Sequence, residues 1–244
     1  MARRPDKNSG DWMPTEEDMK RLQESGCMKA DESPGSVPTR PVRNPPRDQL
    51  RHTEPAILFR KHGYCMFPQQ RTIYRQLAER LRGKTVLEAG CGNGLGSAML
   101  ERAANRLVAS DKLESNTDFA GELYPWIDFR VWDANKPCSW GKFHSVIAVE
   151  MIEHVEDPGR VLRNLMDAAC LEVWISTPNG AGKPRPPENP FHVLEYDTPE
   201  FCAMIGKAAG GRLRHLEILN WETFEPVDST GTEVNPLVYW VQLR

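Results

Sequence analysis

Val86-Leu87-Glu88-Ala89-Gly90-Cys91-Gly92-Asn93-Gly94-Leu95-Gly96 is the stretch that decides the fold. A short apolar run ends in an acid, glycines then alternate with other residues, and Ser97-Ala98-Met99-Leu100 continues with helical character. The pattern predicts a strand, a tight glycine turn and a helix N-terminus. Glycine lets a ligand lie against the backbone, and a helix start aims unpaired N–H groups at it. Glu88 at the strand end offers nothing to a pyrophosphate, whereas a ligand with positive charge gains from it.

Working outward, the dinucleotide fingerprint G-x-G-x-x-G fails on both registers. From Gly90 the third glycine falls on Leu95, and from Gly92 it falls on Ser97. That disfavours a dehydrogenase. Leu107-Val108-Ala109-Ser110-Asp111 is a second apolar run closing on an acid, about 20 residues beyond the loop, where a carboxylate can meet ribose hydroxyls. Ile127–Ala134, with Asp133, is a third run; Phe143–Glu150 and Leu171–Ser176 are a fourth and a fifth. Acids at successive strand tips fit a ligand bound outside the carboxyl ends of parallel strands. Each alone equally fits a helix cap.

The E-x-G-x-G-x-G form resembles the first motif of class I S-adenosylmethionine (SAM) dependent methyltransferases. The resemblance covers residues 50–244 and implies a Rossmann-like, doubly wound seven-stranded α/β sheet, its seventh strand inserted antiparallel at the sheet edge. It implies SAM as cofactor, held by Glu88, Gly90, Cys91, Gly92 and Gly94 in the loop, Asp111 at the ribose, Asp133 and Ala134 at the adenine, and Glu150. Apolar runs alternating with helical patterns independently indicate an α/β sheet. Helices are expected around Ile73, Leu77 and Leu81, after Asp157-Pro158, and after Thr198-Pro199; late strands are expected over 213–221 and 237–243.

Chemistry should sit after the fourth strand. Glu150-Met151-Ile152-Glu153-His154-Val155-Glu156-Asp157-Pro158 resembles a run found in small-molecule, ubiquinone-pathway and glycan O-methyltransferases. A proline- and glycine-rich loop then runs from Ser176 to Tyr196, long enough to act as a substrate lid, with Phe191, Val193, Leu194 and Tyr196 as apolar anchors. If residues 150–154 turn helical, Glu150, Glu153 and His154 share a face. With His192 from the lid they would hold a divalent metal, Mg²⁺ or Mn²⁺, as the resembling small-RNA 3′-terminal 2′-O-methyltransferases do. Alternatively His154 or His192 is a metal-free general base and Glu150 orients donor or acceptor. A third alternative leaves His154 hydrogen-bonded locally and Glu153 solvated.

Three functions remain open: O-methylation of a small molecule or glycan, metal-assisted methylation of an RNA end, and a SAM-binding module that no longer turns over. Net charge is −3, which argues against strong non-specific nucleic-acid binding but leaves room for a local basic groove. No apolar run reaches membrane-spanning length, and Met1–Pro5 has no apolar segment behind it, so no membrane partner and a cytoplasmic location are expected. The 6 cysteines are scattered without C-x-x-C, which favours free thiols; Cys91 reads as a packing residue. Residues 1–49 are polar and punctuated by proline, a flexible tail in which Thr15–Leu22 is a candidate short helix. Arg60-Lys61-His62-Gly63-Tyr64 loosely resembles the segment that closes over the methionine end in related enzymes, and Trp126, Trp132 and Trp140 are candidates for the adenine pocket.

Overall fold

The computed structural model describes residues 66–227 and 234–244. The proline-rich segment, the Thr15–Leu22 helix and the Arg60–Tyr64 segment lie outside the described residues. One sheet organises the rest. Its strands are β1 Thr85–Ala89, β2 Arg106–Asp111, β3 Asp128–Val131, β4 Phe143–Val149, β5 Ala169–Thr177, β6 Leu213–Asn220 and β7 Leu237–Leu243. The order across the sheet is β3-β2-β1-β4-β5-β7-β6. The first five strands pair in parallel, and β7 runs antiparallel to both neighbours. One expectation needs correcting: β7 is antiparallel but not at the edge, which β6 occupies. Burial gives the reason. β7 is apolar on both faces and largely buried, whereas β6 exposes Arg214 and His215, residues an edge strand tolerates.

The helices are α1 Pro68–Arg80, α2 Leu95–Glu101, α3 Glu114–Leu123, α4 Pro158–Ala168 and α5 Thr198–Ala209. Each starts where local chemistry permits. Asp157 caps α4 by accepting the Arg160 N–H, and Pro158 takes the first helical position, where no N–H is needed. α5 opens one residue earlier than the Thr198-Pro199 signal suggests, with Asp197 as N-cap in a reciprocal capping box with Glu200. α4 turns Val161, Leu162, Leu165 and Met166 inward, all essentially without solvent contact, into a core shared with β4, β5 and α5. α1 and α2 cover the other face through Ile73, Leu77, Leu81 and Leu100. Helices on both faces leave the C-terminal ends of β1, β2 and β4 as the place for a ligand.

Among the described residues Cys91, Cys138 and Cys202 are free thiols, in keeping with their scattered spacing.

Candidate active site

The glycine turn joins β1 to α2. Gly90, Gly92 and Gly94 adopt φ of 76°, 53° and 76°, so their alternation follows from backbone conformation. The N–H groups of Gly90 and Cys91 both reach the Ser110 carbonyl at 2.8 and 2.9 Å, fastening the turn to β2. Gly92 N–H donates to Asp111 Oδ2 at 3.0 Å, and Leu113 N–H donates to Asp111 Oδ1 at 2.9 Å. Burial pushes the Asp111 carboxyl up, and its backbone and Asn116 hydrogen bonds offset only part of that shift. Glycine 96 has a separate reason: a Cβ there would lie 2.2 Å from the Tyr74 ring.

That ring leads to Glu88, which is fully buried. Tyr74 Oη donates to Glu88 Oε1 at 2.7 Å, and Ser97 Oγ donates to Oε2 at 2.5 Å. The strand-end acid thus lies beneath the turn, tied to α1 and α2. Burial raises its pKa, against the opposing effect of the two hydroxyls. Cys91 is buried beside it and its thiol is pushed well up by burial, the opposite of an activated nucleophile.

Asp133 lies just past β3. Its Oδ1 accepts from both the backbone and side-chain nitrogens of Asn135, which hold the carboxyl below its usual range. Ala134 is pinned through its carbonyl by Asn164 of α4 at 2.7 Å. Trp132 is buried with Trp140 packed 6.1 Å away, whereas Trp126 is exposed against the edge of Tyr124.

After β4 the chain does not form the helix that would align residues 150, 153 and 154. Glu150 adopts φ 50°, rare for a residue with a Cβ, and only Ile152–His154 wind, as a 3₁₀ turn. Ser176 enforces that conformation: it accepts the Glu150 N–H on its carbonyl, and its hydroxyl donates to Glu150 Oε1 at 2.7 Å. Glu153 is buried, with Oε2 accepting from Thr177 Oγ1 at 3.0 Å.

The loop after β5 is a strap closed at its base. Asn179 and Tyr196 form a parallel bridge, and Gly180 N–H donates to the Tyr196 carbonyl at 2.8 Å. Its tip returns to the 3₁₀ turn: Val193 N–H reaches the Glu153 carbonyl at 2.7 Å, and His154 Nδ1–H reaches the Phe191 carbonyl at 2.8 Å. Backbone bonds hold the tip, because Phe191 and Val193, expected as anchors, are 38% and 49% exposed; Tyr196 and Leu194 do pack on the core. The result brings His192 to His154, ring centroids 4.9 Å apart. One ligand atom each from Glu153, His154 and His192 lies within 4.8 Å of the others. Glu150 is not in that group.

Several contributors to this arrangement escape the sequence. Tyr74 is one apolar-face residue among several in α1, and Ser176 and Thr177 read as the start of the lid loop, whereas β5 runs to Thr177. Glu195 had a usable signal, three positions after His192, because its Oε1 lies 2.7 Å from His192 Nδ1.

The fold and the glycine-turn cleft are similar to those of class I SAM-dependent methyltransferases, and residues 87–169 match a methyltransferase domain family. A probable SAM-dependent methyltransferase of Mycobacterium tuberculosis is 31% identical over 173 residues, covering 62% of this chain and 61% of that protein. A ubiquinone biosynthesis O-methyltransferase of Azorhizobium caulinodans is 35% identical over 88 residues, covering 34% of this chain and 35% of that protein. The crystal structure of magnesium protoporphyrin IX methyltransferase from Synechocystis PCC 6803 with bound SAM matches at TM-score 0.54 and 16% identity, covering 80% of this chain and 94% of that one. That last likeness is one of fold. The chain spans 58% and 61% of the length of two mycobacterial relatives. Among the described residues, no helix is long and apolar enough to cross a membrane.

Proposed function

We propose that the protein transfers a methyl group from SAM to an oxygen of a small molecule or glycan. One observation supports this above others: the glycine turn with Asp111 and the His154–His192 pair converge on the same C-terminal end of the sheet. The O-methyltransferase name of the Azorhizobium relative, over a third of this chain, points the same way.

The residues suit the cofactor. A turn at positive φ keeps side chains off the cleft floor, and Asp111, with both oxygens already steadied by backbone donors, retains lone pairs for ribose hydroxyls. Asp133, held ionised, and the Ala134 backbone can read an adenine edge. When bound, SAM supplies a methyl group made electrophilic by its sulfonium. The chain's own work is to align the acceptor and to remove its proton. His154 Nδ1 donates to the Phe191 carbonyl, which leaves Nε2 as its proton-accepting nitrogen, and His192 Nδ1 faces the Glu195 carboxylate at 2.7 Å. His154 Nε2 can take the acceptor's hydroxyl proton, leaving an imidazolium that the buried Glu153 steadies from 3.9 Å, and His192 Nε2 can do so once the acceptor displaces the Asn189 amide.

A second role rests on the mutual approach of Glu153, His154 and His192. These three would hold a divalent ion, which would polarise an acceptor hydroxyl; two imidazoles suit Mn²⁺ better than Mg²⁺.

Incubation with methyl-tritiated SAM and a panel of catechols, phenols, sugars and a short RNA tests the proposal. Label in a phenolic or sugar oxygen, lost in His154→Ala, is the expected result. Label confined to the RNA 3′ terminus and abolished by chelator would replace it with the RNA-end alternative. No transfer to any acceptor, with SAM bound, would favour the inactive module.

A further inference from the structure

The nitrogen that His192 offers to the acceptor is decided elsewhere on the strap. Its Nδ1 lies 2.7 Å from Glu195 Oε1, and Glu195 Oε2 lies 2.6 Å from Lys183 Nζ. The side chains of His192 and Glu195 are each only 10% exposed. A carboxylate has no proton to give, so Nδ1 must carry the hydrogen. Histidine ring nitrogens are set in this way, the bond made by one fixing the state of the other. Nε2 is then the lone-pair nitrogen. Asn189 agrees: its Oδ1 accepts the Phe191 N–H at 3.0 Å, which fixes the amide orientation and turns Nδ2 to donate to His192 Nε2 at 2.9 Å.

We propose that Glu195, backed by Lys183, is a positioning residue that locks His192 as the Nδ1–H tautomer and so dedicates Nε2 to the methyl acceptor. The inference rests on the methyltransferase reading and deepens it. Asn189 marks the chemistry of the group that belongs at Nε2, because it places a hydrogen-bond donor there. An acceptor hydroxyl takes its place, donating the same bond and then losing that proton to Nε2 as its oxygen gains the methyl group. The acceptor class is therefore one bearing a free O–H, not a carbonyl or a thioether. The strap's geometry serves the lock. Glycine 180 closes the base so tightly that a Cβ would lie 2.4 Å from the Glu195 carbonyl oxygen, which keeps Glu195 and Lys183 in register.

The test is nitrogen NMR on the full chain with ring-¹⁵N histidine, with His192→Gln used to assign the signal. Wild type should show a protonated Nδ1 and an unprotonated Nε2 at His192. Asn189→Ala, which removes the donor at Nε2, should keep the Nδ1–H tautomer, and Asn189→Ala with Glu195→Gln should reverse it: the Lys183 ammonium has only donors, so it takes the amide oxygen and leaves the NH₂ facing Nδ1, which moves the hydrogen to Nε2. A residue that merely stabilises the strap would change melting temperature without that reversal. An Nε2–H signal in wild type, or loss of the Nδ1–H signal in Asn189→Ala, overturns the proposal, since the lock would then not be Glu195's. The wild-type spectrum decides even if the variant does not fold. SAM titration on the same sample reports on the cofactor separately, so failure of one is distinct from failure of the other.

Discussion

Glu88 shows how far a residue's position and its role can separate. Alternation in Val86–Ala89 places an acid at a strand tip, and from sequence the acid faces a positively charged ligand. Its full burial beneath Tyr74 and Ser97 depends on a helix 14 residues upstream, which strand periodicity cannot report. Burial raises its folded pKa above the unfolded value of about 4.3. The proton is therefore bound more tightly in the folded chain. Its contribution to stability is full below the unfolded pKa and is lost as pH rises through the raised folded value. Glu88→Gln removes that loss. Urea melts of both proteins across the acid range should show the variant gaining on wild type as pH rises; a difference that stays flat with pH contradicts this account.

Elements were more legible than residues. Strands ending in acids, Pro at the first turn of α4 and the spacing Val161, Leu162, Leu165, Met166 are local signals, and local signals survive into the fold. The positions that resisted depend on tertiary contact. Glu150 leaves the helical course because Ser176, on a neighbouring strand, holds it at positive φ. The strap tip is fixed by the Glu153 carbonyl and the His154 imidazole of the 3₁₀ turn, contacts that depend on the strap's return and not on local pattern. β7 takes the inner position because its two faces are both apolar, a property visible in sequence but easily read as an edge. At this scale α4 offers a direct check. Leu165 is completely buried between α4 and the sheet, so Leu165→Ala should cost about 2–5 kcal/mol of unfolding free energy in denaturant. A loss under about 1 kcal/mol would mean that the α4 face is not the core contact described.

Across the molecule, polarity of the sheet does most to produce function. Parallel strands β1, β2 and β4 all deliver their C-terminal ends to one side. The ordering 3-2-1-4 places the glycine turn between the Asp111 carboxylate on β2 and the Glu150–His154 turn after β4. The strap after β5 then lies over the same side. The glycine turn, Asp111 and the His154–His192 pair thus lie on one side of a single sheet. This convergence was legible as acids at strand tips and as two separated histidines expected to meet; the backbone contact that joins them, His154 Nδ1 to the Phe191 carbonyl 37 residues away, was not.

The central claim is that the turn at Glu88–Gly96, with Asp111, holds SAM. Calorimetric titration of SAM into wild type and Asp111→Ala tests it most directly. One site per chain is predicted in wild type, weakened by about 1–3 kcal/mol when the ribose carboxylate is removed. Absence of heat or saturation in the folded wild-type protein would contradict the claim.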